Sequence, residues 1–126
     1  MRFARRIDQN HVAIVNELAK RGVHAVNLTT AGDGICDIIT YFRGKTVFIE
    51  IKFGRDARLK KTQLKFIGNW PGFIGIARNA EEAYSLATEP ERYALTAKDK
   101  DRFLAVYART EGPHVYLQTL LESLNR

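Results

Sequence analysis

The chain has 126 residues, 45% of them hydrophobic, and its 20 Lys and Arg outweigh 14 Asp and Glu for a formal net charge of +6. That suits one compact domain with a single sizeable core, and the absence of any apolar run of about 18 residues excludes a membrane-spanning helix. One cysteine, Cys36, excludes an internal disulfide and a cysteine-type zinc cluster. No apolar stretch follows the basic start Met1–Arg6, so a reducing, cytoplasmic setting is expected.

From Asp8 to Gly22 the residues Ile7, His11, Ile14, Val15 and Leu18 recur at the spacing of one helical face, with Lys20 and Arg21 suited to the C-terminal dipole and Gly22 to the stop. Val23 to Leu28 reads as a strand and Thr29 to Gly34 as a glycine-containing loop. Two apolar runs then flank Arg43-Gly44 and read as a strand pair covered on both faces. Ile39, Tyr41 and Phe48 lie on one face, and Ile38, Phe42, Val47, Ile49 and Ile51 on the other. Gly54 to Lys61 is a basic loop, Thr62 to Trp70 a short helix ended by Pro71-Gly72, and Phe73 to Ala77 a strand. Asn79 with Glu82 forms a capping box for a helix over 80–87. Glu89-Pro90-Glu91 is a linker, Thr96 caps a helix to about Arg109, and Pro113 opens a last helix striped by Leu117, Leu120, Leu121 and Leu124. The order predicts an α/β sandwich of mixed sheet and helices rather than an all-parallel fold.

Three charged residues interrupt the apolar strand pair: Asp37, Glu50 and Lys52. Charges seldom enter such runs unless paired or functional. If Arg43-Gly44 is a two-residue turn, Phe42 meets Lys45, and residues whose numbers add to 87 face each other. Asp37 and Glu50 then become cross-strand neighbours with Cβ atoms roughly 4.5–5.5 Å apart. Lys52 points to the same side. Like charges directly opposite are destabilising, so the pair needs a cation. One reading is an ordinary buried ion pair of Lys52 with Glu50 or Asp37. The other is a site for a hard divalent ion, Mg²⁺ or Mn²⁺, bound by Asp37 and Glu50 and completed by waters and substrate phosphates. Lys52 beside it would help to prepare the attacking water or stabilise phosphoryl charge, which suits metal-assisted phosphodiester hydrolysis. The acid excess over one lysine and the basic loop that follows favour the second.

Asp37, twelve intervening residues and Glu50-Ile51-Lys52, preceded by a helix and followed by a Gln-bearing helix, resemble the PD-(D/E)XK nuclease superfamily. Within it the nearest likeness is to the virus-type replication-repair nuclease (VRR-NUC) domain, archaeal Holliday junction resolvases and small phage nucleases. The stretch Arg6 to Ala87 carries the resemblance. The usual Gly-X-X-Pro-Asp before the first acid reads here Gly32-Asp33-Gly34-Ile35-Cys36-Asp37, with Cys36 in place of a proline that supplies no ligand. The resemblance implies that Asp37 and Glu50 bind metal and that Lys52 is catalytic. Leu59-Lys60-Lys61-Thr62-Gln63 is similar to the family's Leu-Ser/Thr-X-X-Gln, so Gln63 would join the active site. Relatives often carry Glu or Gln on the first helix where this chain has His11. A ligand role and a core-edge histidine both remain for His11, and Asn10 could serve instead. The implied fold is a restriction-endonuclease-like core over residues 1–87: a helix, a mixed central sheet and helices on both faces. Residues 88–126 would form a two-helix appendage, packed on the core or at a dimer interface.

The excess positive charge lies in residues 1–87, with 14 Lys and Arg against 8 Asp and Glu, while residues 88–126 hold 6 of each. A basic region around the hairpin suits DNA. Arg55, Arg58, Lys60, Lys61 and Lys65 are expected to hold phosphates, which position a duplex without reading it. Thr29 and Thr30 are candidates to contact the scissile phosphate. Arg2, Arg5 and Arg6 could form a phosphate-binding arm or an unstructured end, and Asp33 a third acid or a solvated loop residue. The expected activity is a metal-dependent DNA endonuclease, with branched or flapped DNA among its candidate substrates. The competitors are a catalytically weak nucleic-acid-binding module of the same fold and a structural subunit.

Overall fold

The structure is a computed structural model and describes residues 9–28 and 35–124. In chain order the elements are α1 (Gln9–Lys20), β1 (His24–Asn27), β2 (Ile38–Phe42), β3 (Lys45–Ile51), β4 (Arg58–Lys60), α2 (Lys61–Asn69), β5 (Phe73–Ala77), α3 (Ala80–Thr88), α4 (Pro90–Tyr93), α5 (Ala97–Arg109), β6 (His114–Tyr116) and α6 (Leu117–Glu122). The main sheet runs β1-β2-β3-β5. Its first three strands are antiparallel neighbours, and β5 lies parallel to β3 after the α2 crossover. The class is therefore α/β with a mixed sheet and helices. Among the described residues no helix is long and apolar enough to cross a membrane.

The hairpin register follows from its turn. Arg43 and Gly44 both take positive φ, 49° and 83°. Positive φ at both central residues is the type I′ pattern, whose twist matches that of the flanking strands. Phe42 accordingly pairs with Lys45 and Ile38 with Ile49, the register expected from the sequence. Strand alternation then sorts side chains between two cores. Ile38, Val47, Ile49 and Ile51 pack against Ile14 and Leu18 of α1 and Ala83, Leu86 and Ala87 of α3. Phe48 and Ile76 face Leu64 and Ile67 of α2 and Phe103 and Val106 of α5. The sheet is thus covered on both faces.

Helices α2 and α5 approach closely at Gly68. A Cβ there would sit 2.5 Å from Leu104 Cγ and 3.1 Å from the Lys100 carbonyl oxygen. In an open helix Gly→Ala gains about 1 kcal/mol. Here overpacking should win, and Gly68→Ala is expected to destabilise by about 1–3 kcal/mol. Urea denaturation with an unchanged m-value reads this, and a stabilised variant would mean that the helices give way without cost. Lys100 reinforces the same junction by donating from Nζ to the carbonyls of Trp70 (2.6 Å) and Gly72 (2.7 Å) at the C-terminal end of α2, where a cation is favoured.

Four sequence expectations need correction. The basic loop over 54–61 contains β4, which pairs antiparallel with β6. The last segment does not open as a helix at Pro113. His114-Val115-Tyr116 form β6, and only Leu117 begins α6. A valine and a tyrosine favour the pleated state once a partner strand exists, and helical spacing of the following leucines conceals it. Pro90, expected in a linker, is buried and starts the short helix α4. The C-terminal region is therefore more than two helices. Its α5 lies on α2, and Leu117, Leu120 and Leu124 are buried in the second core. Asp8, Thr29, Thr30, Asp33, Arg2, Arg5, Arg6 and the side chain of Asn10 lie outside the described residues.

Candidate active site

Asp37 stands one residue before β2, and Glu50 is the penultimate residue of β3. The ladder ends at the Ile38–Ile49 pair, so Asp37 does not pair with Glu50 by backbone bonds. Its side chain turns along the sheet instead, and Asp37 Oδ2 accepts from the Ile51 N–H at 2.7 Å. This holds the carboxylate beside Glu50. The Asp37 backbone is pinned too, its carbonyl accepting from the Leu28 N–H at 2.6 Å.

Glu50 is 1% exposed. Its Oε2 accepts from Gln63 Nε2 at 2.8 Å and lies 3.3 Å from Lys52 Nζ. Its Oε1 is buried and has no hydrogen-bond partner among the described residues. Burial raises the carboxyl to about 8, the Asp37 charge pushes the same way, and Lys52 opposes both. One ammonium, itself 19% exposed at the mouth of the site, does not compensate for a buried acid beside a second acid. Gln63 is fixed from its other end, where its Oε1 accepts from the Lys60 N–H at 2.9 Å. The first turn of α2 thereby orients the Glu50 carboxylate.

His11 is 8% exposed, and its Nε2 lies 3.8 Å from Asp37 Oδ2. The first helix thus reaches the acidic end of the hairpin. Cys36 is buried, and burial first, then the charges of Glu50 and Asp37, raise its thiol far above the usual range. The structure brings Asp37, Glu50, Lys52, Gln63 and His11 together. Thr30, a candidate phosphate contact, lies outside the described residues.

The expected phosphate-binding residues divide into three groups. Arg55 is exposed in the loop after β3. Arg58 and Lys60 are exposed on β4, with Leu59 between them buried. Lys61 and Lys65, on α2, hold their Nζ atoms 5.2 and 5.9 Å from the ring centre of Tyr107 on α5. Sequence reasoning misses the aromatic partners of these cations. In the sequence Tyr107 lies within the helix expected to about Arg109, and His114 and Tyr116 lie in the segment expected to open as a helix at Pro113. No local signal marks the second pair, because 114–116 is too short to show alternation.

Comparison of the chain with family models finds no match, and comparison with curated proteins finds none. The chemistry of the site must therefore be read from its own groups. Among the described residues no three or more His, Cys, Asp and Glu side chains form a protein-only metal cage. The donor set fits an open oxygen site instead: two adjacent carboxylates, one with an unpartnered buried oxygen. Such a set suits an ion that keeps waters and shares substrate oxygens.

Proposed function

We propose that the protein is a divalent-metal-dependent DNA endonuclease of the PD-(D/E)XK type, hydrolysing phosphodiester bonds with Mg²⁺ or Mn²⁺. The observation that carries the reading is the Glu50 carboxylate. It is buried against Asp37, lacks a donor at Oε1, and is held in place by Gln63 and Lys52. A buried acid pair with too little positive charge is costly. A cation held by Asp37 and Glu50 would relieve it.

When bound, the ion would lower the pKa of a water and offset charge on a phosphoryl oxygen. Asp37 and Glu50 would hold it, with His11 standing beside Asp37. Gln63 keeps the Glu50 carboxylate turned toward the site. Lys52 reaches solvent at the mouth and would meet the phosphate, steadying charge as it builds on the non-bridging oxygens. Arg55, Arg58, Lys60, Lys61 and Lys65 would hold flanking phosphates.

Plasmid and branched DNA incubated with Mn²⁺, with EDTA controls, test the reading. EDTA-sensitive cleavage supports it. Binding without cleavage would favour a nucleic-acid-binding module in which His11, standing where relatives carry Glu or Gln, has reduced the metal affinity. Neutralising Arg58 and Lys61 together (Arg58→Gln, Lys61→Gln) is expected to weaken DNA binding evenly across sequences. The slope of log affinity against log salt should flatten by about 1.5–2, as for two lost phosphate contacts. An unchanged slope would move the DNA path elsewhere.

A further inference from the structure

The ribbon of β4 and β6 has two unlike faces. Leu59 faces inward and is fully buried, opposite Val115. The neighbours on either side point outward: Arg58 opposite Tyr116 and Lys60 opposite His114. Cation and aromatic ring therefore alternate across the outer face. The Arg58 guanidinium carbon lies 5.8 Å from the Tyr116 ring centre, and its Nη1 lies 3.2 Å from His114 Nε2, to which it can only donate. The His114 and Tyr116 rings meet edge to face, 6.2 Å apart. Tyr116 remains 51% exposed.

The ribbon also adjoins the acidic site directly. Lys60 holds Gln63 through its N–H, and Gln63 holds Glu50. A polyanion following the cations of β4 toward Glu50 would run alongside Tyr116 and His114 on the neighbouring strand. Paired bases in a duplex are stacked on one another and present only phosphates and groove edges. Unpaired bases expose faces that stack on aromatic rings, while flanking cations hold the backbone.

We propose that the outer face of the β4–β6 ribbon is a stacking ledge for unpaired bases, so that the substrate reaches the acidic site as a single-stranded stretch of DNA. The binding claim stands on the ribbon alone; that the strand is then cut rests on the nuclease reading above.

The test is fluorescence anisotropy in EDTA, where cleavage is silent. The probes are a labelled oligothymidylate of about 15 nucleotides, near the upper end of common single-strand site sizes, an abasic strand of the same length, and a blunt hairpin duplex. The full chain should bind the base-bearing strand about fivefold or more tighter than the abasic one, the factor expected for a single stacked base. Tyr116→Ala should erase that preference and Tyr116→Trp should keep it. Tyr116→Leu, which retains bulk without a π-face, should behave like the alanine variant and guards against an effect of misfolding. Equal binding of base-bearing and abasic strands by the parent, or an undiminished preference in Tyr116→Leu, would overturn the ledge. Cleavage in Mn²⁺ is read separately with Lys52→Ala. Lys52-dependent cleavage without base preference removes the ledge alone, and base preference without cleavage removes the nuclease alone.

Discussion

Lys52→Ala is expected to lower Mn²⁺-dependent DNA cleavage by at least about 10²-fold, the scale for losing one preorganised charge-stabilising group at a reacting centre. Fold and DNA affinity should change little. Lys52 directly follows β3, its N–H donating to the Ala77 carbonyl at 3.0 Å, and alanine keeps that bond. What disappears is the ammonium 3.3 Å from Glu50. Its absence also leaves the two carboxylates less compensated, so the variant should bind Mn²⁺ at least as tightly as the parent. Single-turnover cleavage over a Mn²⁺ series separates the effects. A rate restored in full at high Mn²⁺ would make Lys52 a partner of Glu50 alone, with no part in the chemistry. Equal activity in parent and variant would remove Lys52 from the site.

Glu50→Gln should do two opposite things: abolish cleavage and stabilise the metal-free fold. The carboxyl ionises at about 8 in the folded chain against an ordinary 4.5, chiefly from burial and then from Asp37. Between those values the folded state keeps a proton that the unfolded state has released. Stability then falls as pH rises through this window. The metal-free parent should thus lose stability steadily from about pH 5 to pH 8, by a few kcal/mol at most. The amide introduced by the substitution fills the same space, carries no charge and can still accept from Gln63. At pH 8 the variant should melt several degrees higher, roughly 5–10 °C for a gain of about 2 kcal/mol. Its pH profile over the window should be flatter. Mn²⁺ should raise the melting temperature of the parent and leave the variant unmoved. A variant less stable than the metal-free parent at pH 8 would show Glu50 to be a favourable ion-pair partner, and the case for a cation would lose its physical basis.

The hairpin is the most legible part of the chain because its information is local. A two-residue turn sets register, register sets faces, and charges within apolar strands are conspicuous. That chain of reasoning brings Asp37, Glu50 and Lys52 to one end of the sheet, and the Gln63 contact belongs to the same neighbourhood. One detail differs. Asp37 reaches its place through a side-chain bond to the Ile51 N–H rather than through a ladder pair, a choice made by the strand end and not by periodicity. The ribbon is illegible for a different reason. Arg58–Lys60 and His114–Tyr116 are three residues each, too short to show alternation, and each is a strand only because the other is present. Isolated pairs of strands are marginal in water. This pair persists because Leu59 and Val115 anchor it in the second core. Pairing between segments this far apart in sequence leaves no local trace, and the leucine spacing after Tyr116 points toward helix.

That long-range pairing bears on how the molecule is made. The Lys61 N–H donates to the Pro113 carbonyl and the Leu117 N–H to the Ala57 carbonyl, each at 2.9 Å, so residues late in the chain clasp both sides of the segment that presents Gln63. During vectorial synthesis the acidic pair emerges from the ribosome long before this clasp. A nascent chain therefore carries its carboxylates without the strand that braces their orienting glutamine, and maturation of the centre waits on translation past Leu117.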